Sequence, residues 1–172
     1  QGGFFDTGAG HESLVLRPKD LFDNATPSGN SAAAEALLRL SAFTGDPTLE
    51  GRALRVLALL GPAMARHPTG FGRLLCAADF ALSPRREVAI VGAPRAEATR
   101  ALVRTVSRLY LPNTVLAGAA AGDGQAERIV PLLAGRLADR GPALAYVCER
   151  FACQMPVSDP QALARQLSPA RA

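Results

Sequence analysis

Apolar and polar positions change period half-way along the chain. Between residues 31 and 82 the apolar residues recur at helical spacing. From residue 87 they come in short runs of strand length, broken by Gly and Pro. Ser31 to Phe43 is apolar nearly all round and ends at Thr44-Gly45. Glu35 and Arg39 are its only charges and sit four residues apart, on one face. Such a helix calls for burial on most sides. Asp46-Pro47 opens a second helix as cap and first-turn proline, with Glu50 in the opening turns. It runs through Leu54, Val56, Leu57, Leu59 and Leu60 towards Arg66. Pro62 cannot donate to Ala58, so a kink or break is expected there. His67-Pro68-Thr69-Gly70 is a turn, and Phe71 to Leu82 makes a third helix, stopped by Ser83-Pro84.

The second half reads differently. Glu87 to Gly92 has strand length and is followed by Ala93-Pro94 and an amphipathic helix. That helix puts Ala98, Leu102, Val106 and Leu109 on one stripe, with Arg100, Arg104, Ser107 and Arg108 outside it. Asn113 to Gly118 is a second strand, so the pattern is a βαβ unit that pairs in parallel with a right-handed crossover. Gly118 to Gln125 is a flexible loop. Ala126 to Leu137 holds at most one short helix, interrupted by Pro131 and Gly135. Ala143 to Cys148 is a third strand, and Ala152 to Met155 continues it or returns as a hairpin. Ser158-Asp159-Pro160 caps a last helix through Leu163 and Leu167. Ahead of all this, residues 1 to 31 are extended and turn-like. Phe4 to Thr7 and Ser13 to Leu16 flank Gly8-Ala9-Gly10-His11 as a candidate loose hairpin. Pro18, Pro27 and Gly29 exclude helix until about Ser31. The fold class is therefore α+β with helix exceeding strand. Residues 1–84 form an extended start with about three helices, and residues 85–172 a small α/β unit with a mainly parallel sheet.

Composition narrows the function classes. With 48 % apolar and 20 % charged residues the chain can bury a core. Trp is absent and aromatics are 5 %, which argues against an aromatic platform for sugars or single strands. The net charge of +4 invites nucleic acid, but the 19 basic residues are dispersed and Arg85-Arg86 is the longest run. Neither a nucleic-acid partner nor a membrane span is expected. Cys148 and Cys153, four residues between them, are neither a CxxC pair nor part of a zinc pattern. On one continuous strand their odd offset would send them to opposite faces. The three cysteines read as buried, reduced and cytoplasmic.

Cofactor signals are weak. Val91-Gly92-Ala93-Pro94 joins a strand to a helix, but the three-glycine fingerprint is missing and Pro94 removes a helix-terminal donor. A packed βαβ without cofactor is the expectation. Gly118 to Gly124 lacks the Lys-Ser/Thr ending of a phosphate loop. No cofactor and no metal are expected. The polar opening segment is stronger. Asp6, Glu12, Asp20 and Asp23 supply carboxylates, and Arg17 and Lys19 supply cations able to tune them or orient a substrate. Ser28, Asn30 and Ser31 offer short hydrogen-bonding groups beside a helix N-terminus. The plainer reading is that Asp23 to Ser31 caps a buried helix and turns the chain. His11 reads as an exposed loop residue rather than a base.

These segments carry a resemblance. GGFFDT and LRPKDLFDNATPSGNSAAAEALLRLSAFTGD, then REVAIVGAPRAEATRALVRTVSRLYLPNTVLAGA and ALAYVCERFACQMPVSDPQALARQL, resemble the late part of the spermatogenesis-associated thioredoxin-domain family (bacterial YyaL-type proteins). The resemblance implies an N-terminal thioredoxin-like domain and an (α/α)6 toroid similar to sugar epimerases and glycosidases. Most of both would lie outside this chain, which opens on Gln1 and is expected to be a C-terminal piece. It further implies a cleft lined by Asp6, Lys19, Ser28 and Asn30. In an enzyme reading Asp6 and Asp23 serve as acid/base, with Phe5, Arg17, Lys19, Ser28 and Asn30 binding a sugar-like substrate. In the alternative the region is a non-catalytic docking part of a redox (thioredoxin-like) protein. Either way, uncovered helix faces are expected to drive self-association or pairing with the rest of the parent chain.

Overall fold

The structure is a computed structural model describing residues 2–10, 15–136, 138 and 142–168. It divides into two compact units, one from residues 1–41 and 46–83, the other from 42–45 and 84–172. The architecture is α+β.

The first unit holds α1 (Gly29–Thr44), α2 (Pro47–Arg66), a 3-10 turn (Pro68–Phe71) and α3 (Gly72–Leu82). Its buried core includes Leu38, Val56, Leu60, Phe71, Leu74 and Phe80. Asp46 caps α2 by accepting the Thr48 N–H at 2.8 Å. Glu35 and Arg39 do share a face of α1 and pair at 2.9 Å. α1 is buried or half-buried on most sides, leaving one exposed stripe, Ala32, Ala36 and Leu40, one helical turn apart. One expectation needs correcting: Pro62 does not break α2, which is continuous to Arg66. Ala58 and Pro62 are both exposed, so the carbonyl that loses its N–H partner has solvent within reach.

The candidate opening hairpin falls partly on His11, Glu12, Ser13 and Leu14, which lie outside the described residues. Within them, the Phe4 main chain bonds a side-chain amide, and the Asp6 N–H donates to the Pro18 carbonyl at 3.1 Å.

The second unit holds β1 (Arg86–Gly92), α4 (Glu97–Ser107), β2 (Thr114–Ala119), α5 (Gly124–Ile129), a 3-10 turn (Pro131–Leu133), β3 (Ala143–Glu149), β4 (Ala152–Cys153) and α6 (Pro160–Leu167). The sheet order is β2-β1-β3-β4. β1 and β2 pair in parallel, from Arg86 opposite Thr114 to Val91 opposite Ala119. β3 runs antiparallel to β1, with Gly92 opposite Ala143 and Glu87 opposite Cys148. The sheet is thus mixed, not mainly parallel. α5 has six residues and rises about 9 Å. β3 starts at the end where β1 and β2 finish and runs backwards.

One face of the sheet buries Val88, Ile90, Ala145 and Val147 against Leu102 and Val106 of α4 and Leu163 and Leu167 of α6. Ala98 and Leu109 pack on this cluster, while Arg100, Arg104, Ser107 and Arg108 are exposed. The 3-10 turn carrying Leu132 and Leu133 lies against β1 and β2. Gly92 admits no side chain, because a Cβ there would meet Thr99 Oγ1 at 2.6 Å and Ala143 Cβ at 2.8 Å.

The cysteine reading is also corrected. Cys148 and Cys153 are bonded to one another, and Cys76 is free and exposed. The opposite-face argument assumed one strand. Instead Arg150 and Phe151, at φ 50° and 64°, reverse the chain in two residues and set Cys153 opposite Cys148. No helix among the described residues is long and apolar enough to cross a membrane.

Candidate functional site

Asn30 organises the opening segment. It is fully buried at the start of α1, and its Oδ1 accepts the Phe4 N–H at 2.6 Å. Its amide nitrogen donates to the Phe4 carbonyl at 3.0 Å and the Asp20 carbonyl at 2.8 Å. Both amide hydrogens are therefore engaged with main chain. Gly3, at φ +77°, leaves room for this grip: a Cβ there would stand 3.0 Å from Asn30 Oδ1.

Asp23 joins two helix starts. Its Oδ1 accepts the Ser28 N–H at 2.8 Å. Its Oδ2 accepts the N–H groups of Arg73 at 2.7 Å and Leu74 at 3.1 Å, in the first turn of α3. A carboxylate among unpaired helix-terminal N–H groups is held by dipole and hydrogen bonds together. Burial pushes the Asp23 carboxyl up. The donors from Ser28, the Ser31 hydroxyl, Leu74 and Arg73 outweigh this and hold it below the usual aspartate range. Ser28 caps α1: its Oγ accepts the Ser31 N–H at 3.1 Å and donates to Ser31 Oγ at 2.9 Å.

The remaining candidates gather around Phe5 and Asp6. Asp6 is exposed, and both its oxygens receive the Asp20 N–H, at 3.0 and 3.1 Å. Arg17 and Lys19 lie 4.3 and 4.5 Å from the centre of the Phe5 ring, as cation–π partners. Arg17 also donates to the Thr7 carbonyl at 2.8 Å, and Lys19 to the Gly2 carbonyl at 2.7 Å. A cavity of about 200 Å³ nearby is lined by Gly2, Gly3, Phe4, Arg52 and Arg55, none of them a candidate. The structure thus brings the candidates into one region, but each polar one bonds the protein's own main chain. A carboxylate already accepting several N–H bonds is a strong anchor and a weak proton acceptor.

The sequence reading missed the burial of two carboxylates. Glu35 is nearly buried, paired with Arg39 and, across to α3, with Arg73 at 2.5 Å. Glu87 is fully buried in β1. The available signal was the same for both: an acidic residue inside a segment otherwise patterned for the core.

Over 98 % of its length the chain is 38 % identical to spermatogenesis-associated protein 20 of Homo sapiens. The chain is homologous to part of that protein. The mouse and rat proteins of the same name are 35 % identical over 96 % of the chain. The chain spans about a fifth of the length of these curated homologues, 21–22 %. No protein-family model matches it. No solved structure matches it significantly.

Proposed function

We propose that this chain is a non-catalytic docking part of a larger protein, in which the polar opening segment is an architectural clasp. One observation carries this reading. Asp6, Asp23, Asn30, Arg17 and Lys19, the groups a cleft would need free, all bond main-chain atoms of their own unit. The exposed stripe Ala32, Ala36 and Leu40 on α1, and exposed Leu54 and Leu59 on α2, supply the docking surface. The span of about a fifth of the homologues supports a parent with further segments to cover it. Those segments are the neighbouring helices of an (α/α)6-type toroid and a thioredoxin-like module. At roughly 25 cal/mol per Å², covering even ~400 Å² of apolar surface contributes about 10 kcal/mol.

Sedimentation of the isolated chain at micromolar concentration tests the surface. Association, reversed by co-expression with the remainder of the parent protein, is the expected result. A monomer that binds no apolar dye defeats the docking reading. A metabolite screen on the full-length protein tests the clasp. Turnover abolished by Asp6→Asn at unchanged stability would restore the sugar-processing reading.

A further inference from the structure

We propose that Cys148–Cys153 is a redox-active pair that exchanges with a dithiol at the Cys153 sulfur, with Glu87 carrying the proton for Cys148. The two sulfurs are unlike. Cys153 is exposed on the two-residue edge strand β4, whereas Cys148 is fully buried in β3. An attacking thiolate can therefore reach only Cys153, and Cys148 is the sulfur expelled.

The surroundings suit that direction. Arg136 Nη2 stands 3.3 Å from Cys148 Sγ. The same guanidinium lies over the Tyr146 ring at 5.0 Å and donates from Nε to the Leu132 carbonyl at 3.3 Å, so it is held in place before any reaction. A fixed cation beside the departing sulfur favours its thiolate and speeds its departure.

Glu87 stands directly opposite Cys148 across β1 and β3, on the same face of the sheet. Its Oε2 accepts the N–H of Phe151, a residue of the turn between the cysteines, at 2.8 Å. Its Oε1 has no hydrogen-bond partner, and Arg85 Nε is 3.9 Å away. Burial pushes the Glu87 carboxyl up and Glu149 adds to the rise, against the N–H groups of Phe151 and Arg150 and the Arg85 cation. A carboxyl that holds its proton to higher pH than usual, directly across the strand pair from the buried sulfur, is placed to give that proton.

The step balances as two-electron exchange. One thiolate of the dithiol forms a sulfur–sulfur bond to Cys153, the Cys148–Cys153 bond breaks, and the Cys148 thiolate takes the Glu87 proton. The second thiolate then closes the dithiol into its own disulfide and releases Cys153, which is protonated from solvent along with Glu87. The protein disulfide is reduced and the dithiol oxidised.

The test uses the full chain carrying Cys76→Ser, which removes the exposed free thiol, with dithiothreitol and glutathione disulfide as probes. Dithiothreitol is expected to reduce the pair while circular dichroism still shows the folded chain. A disulfide that resists until denaturant is added overturns the proposal. Cys148→Ser should trap glutathione on Cys153, seen by mass, while Cys153→Ser leaves a Cys148 thiol reacting at least roughly tenfold slower. Equal rates overturn the order of attack. After reduction, the pH profile of Cys148 alkylation should lose its Glu87-dependent step in Glu87→Gln. An unchanged profile there removes Glu87 from the mechanism.

Discussion

Asp23 and Glu87 are both carboxylates drawn out of water, and the fold treats them in opposite ways. Asp23 is half-buried and accepts three main-chain N–H bonds at two helix starts, so its charged form is favoured. Glu87 is fully buried, with the Phe151 N–H at 2.8 Å and a cation at 3.9 Å, and burial outweighs these so that its carboxyl is pushed up. Burial alone does not decide a carboxyl's state; the number of donors aimed at it does. The first kind of site is suited to holding a chain in place. The second is suited to moving a proton.

The comparison can be broken at the clasp first. Asn30→Ala should cost about 3 kcal/mol, because it strands the Phe4 N–H and two carbonyls at once. Chemical denaturation reads the cost, and limited proteolysis should cut ahead of residue 28. A loss near zero would mean the segment is held by something else. Asp23→Ala should cost about 2 kcal/mol by uncapping the turn and α3 together. A normal denaturation midpoint in that variant would contradict its anchoring role.

The two carboxyls should also diverge with pH. Asp23 has a lowered pKa when folded, so its contribution is complete above the usual aspartate value and disappears as pH falls through the folded value. Glu87 has a raised pKa when folded, so the folded state binds more protons than the unfolded one between the two values. Its linkage runs the other way: stability falls as pH climbs from the usual glutamate value through the raised one, then levels. Urea midpoints across pH should show this slope in the wild type and lose it in Glu87→Gln. The smallest effect belongs to Asp6. It is exposed, and Asp6→Asn keeps an acceptor for the Asp20 N–H, so a change below about 0.5 kcal/mol is expected. A larger loss would place Asp6 within the clasp's core rather than at its edge.

Much of this protein was legible in its sequence, and the legible part is local. The period of Ala98, Leu102, Val106 and Leu109 places one face of α4 on the core. Asp46 and Asp159 cap α2 and α6 through residues two and three positions away. Such features rest on backbone geometry within a turn or two, so neighbouring residues suffice to state them. The fate of the polar segment was half legible. Short polar residues before α1 suit a cap or a cleft equally, and the choice waited on Arg73 and Leu74, some fifty residues on.

Tertiary structure alone decided the rest. β3 runs against β1, a fact of chain path that the residues of neither strand state. Cys148 meets Cys153 only because Arg150 and Phe151 turn left-handed between them, and Glu87 meets Cys148 only through that antiparallel register. Shifting a strand by one residue exchanges its two faces. Residue spacing within one segment therefore carries no information about which groups face one another across two.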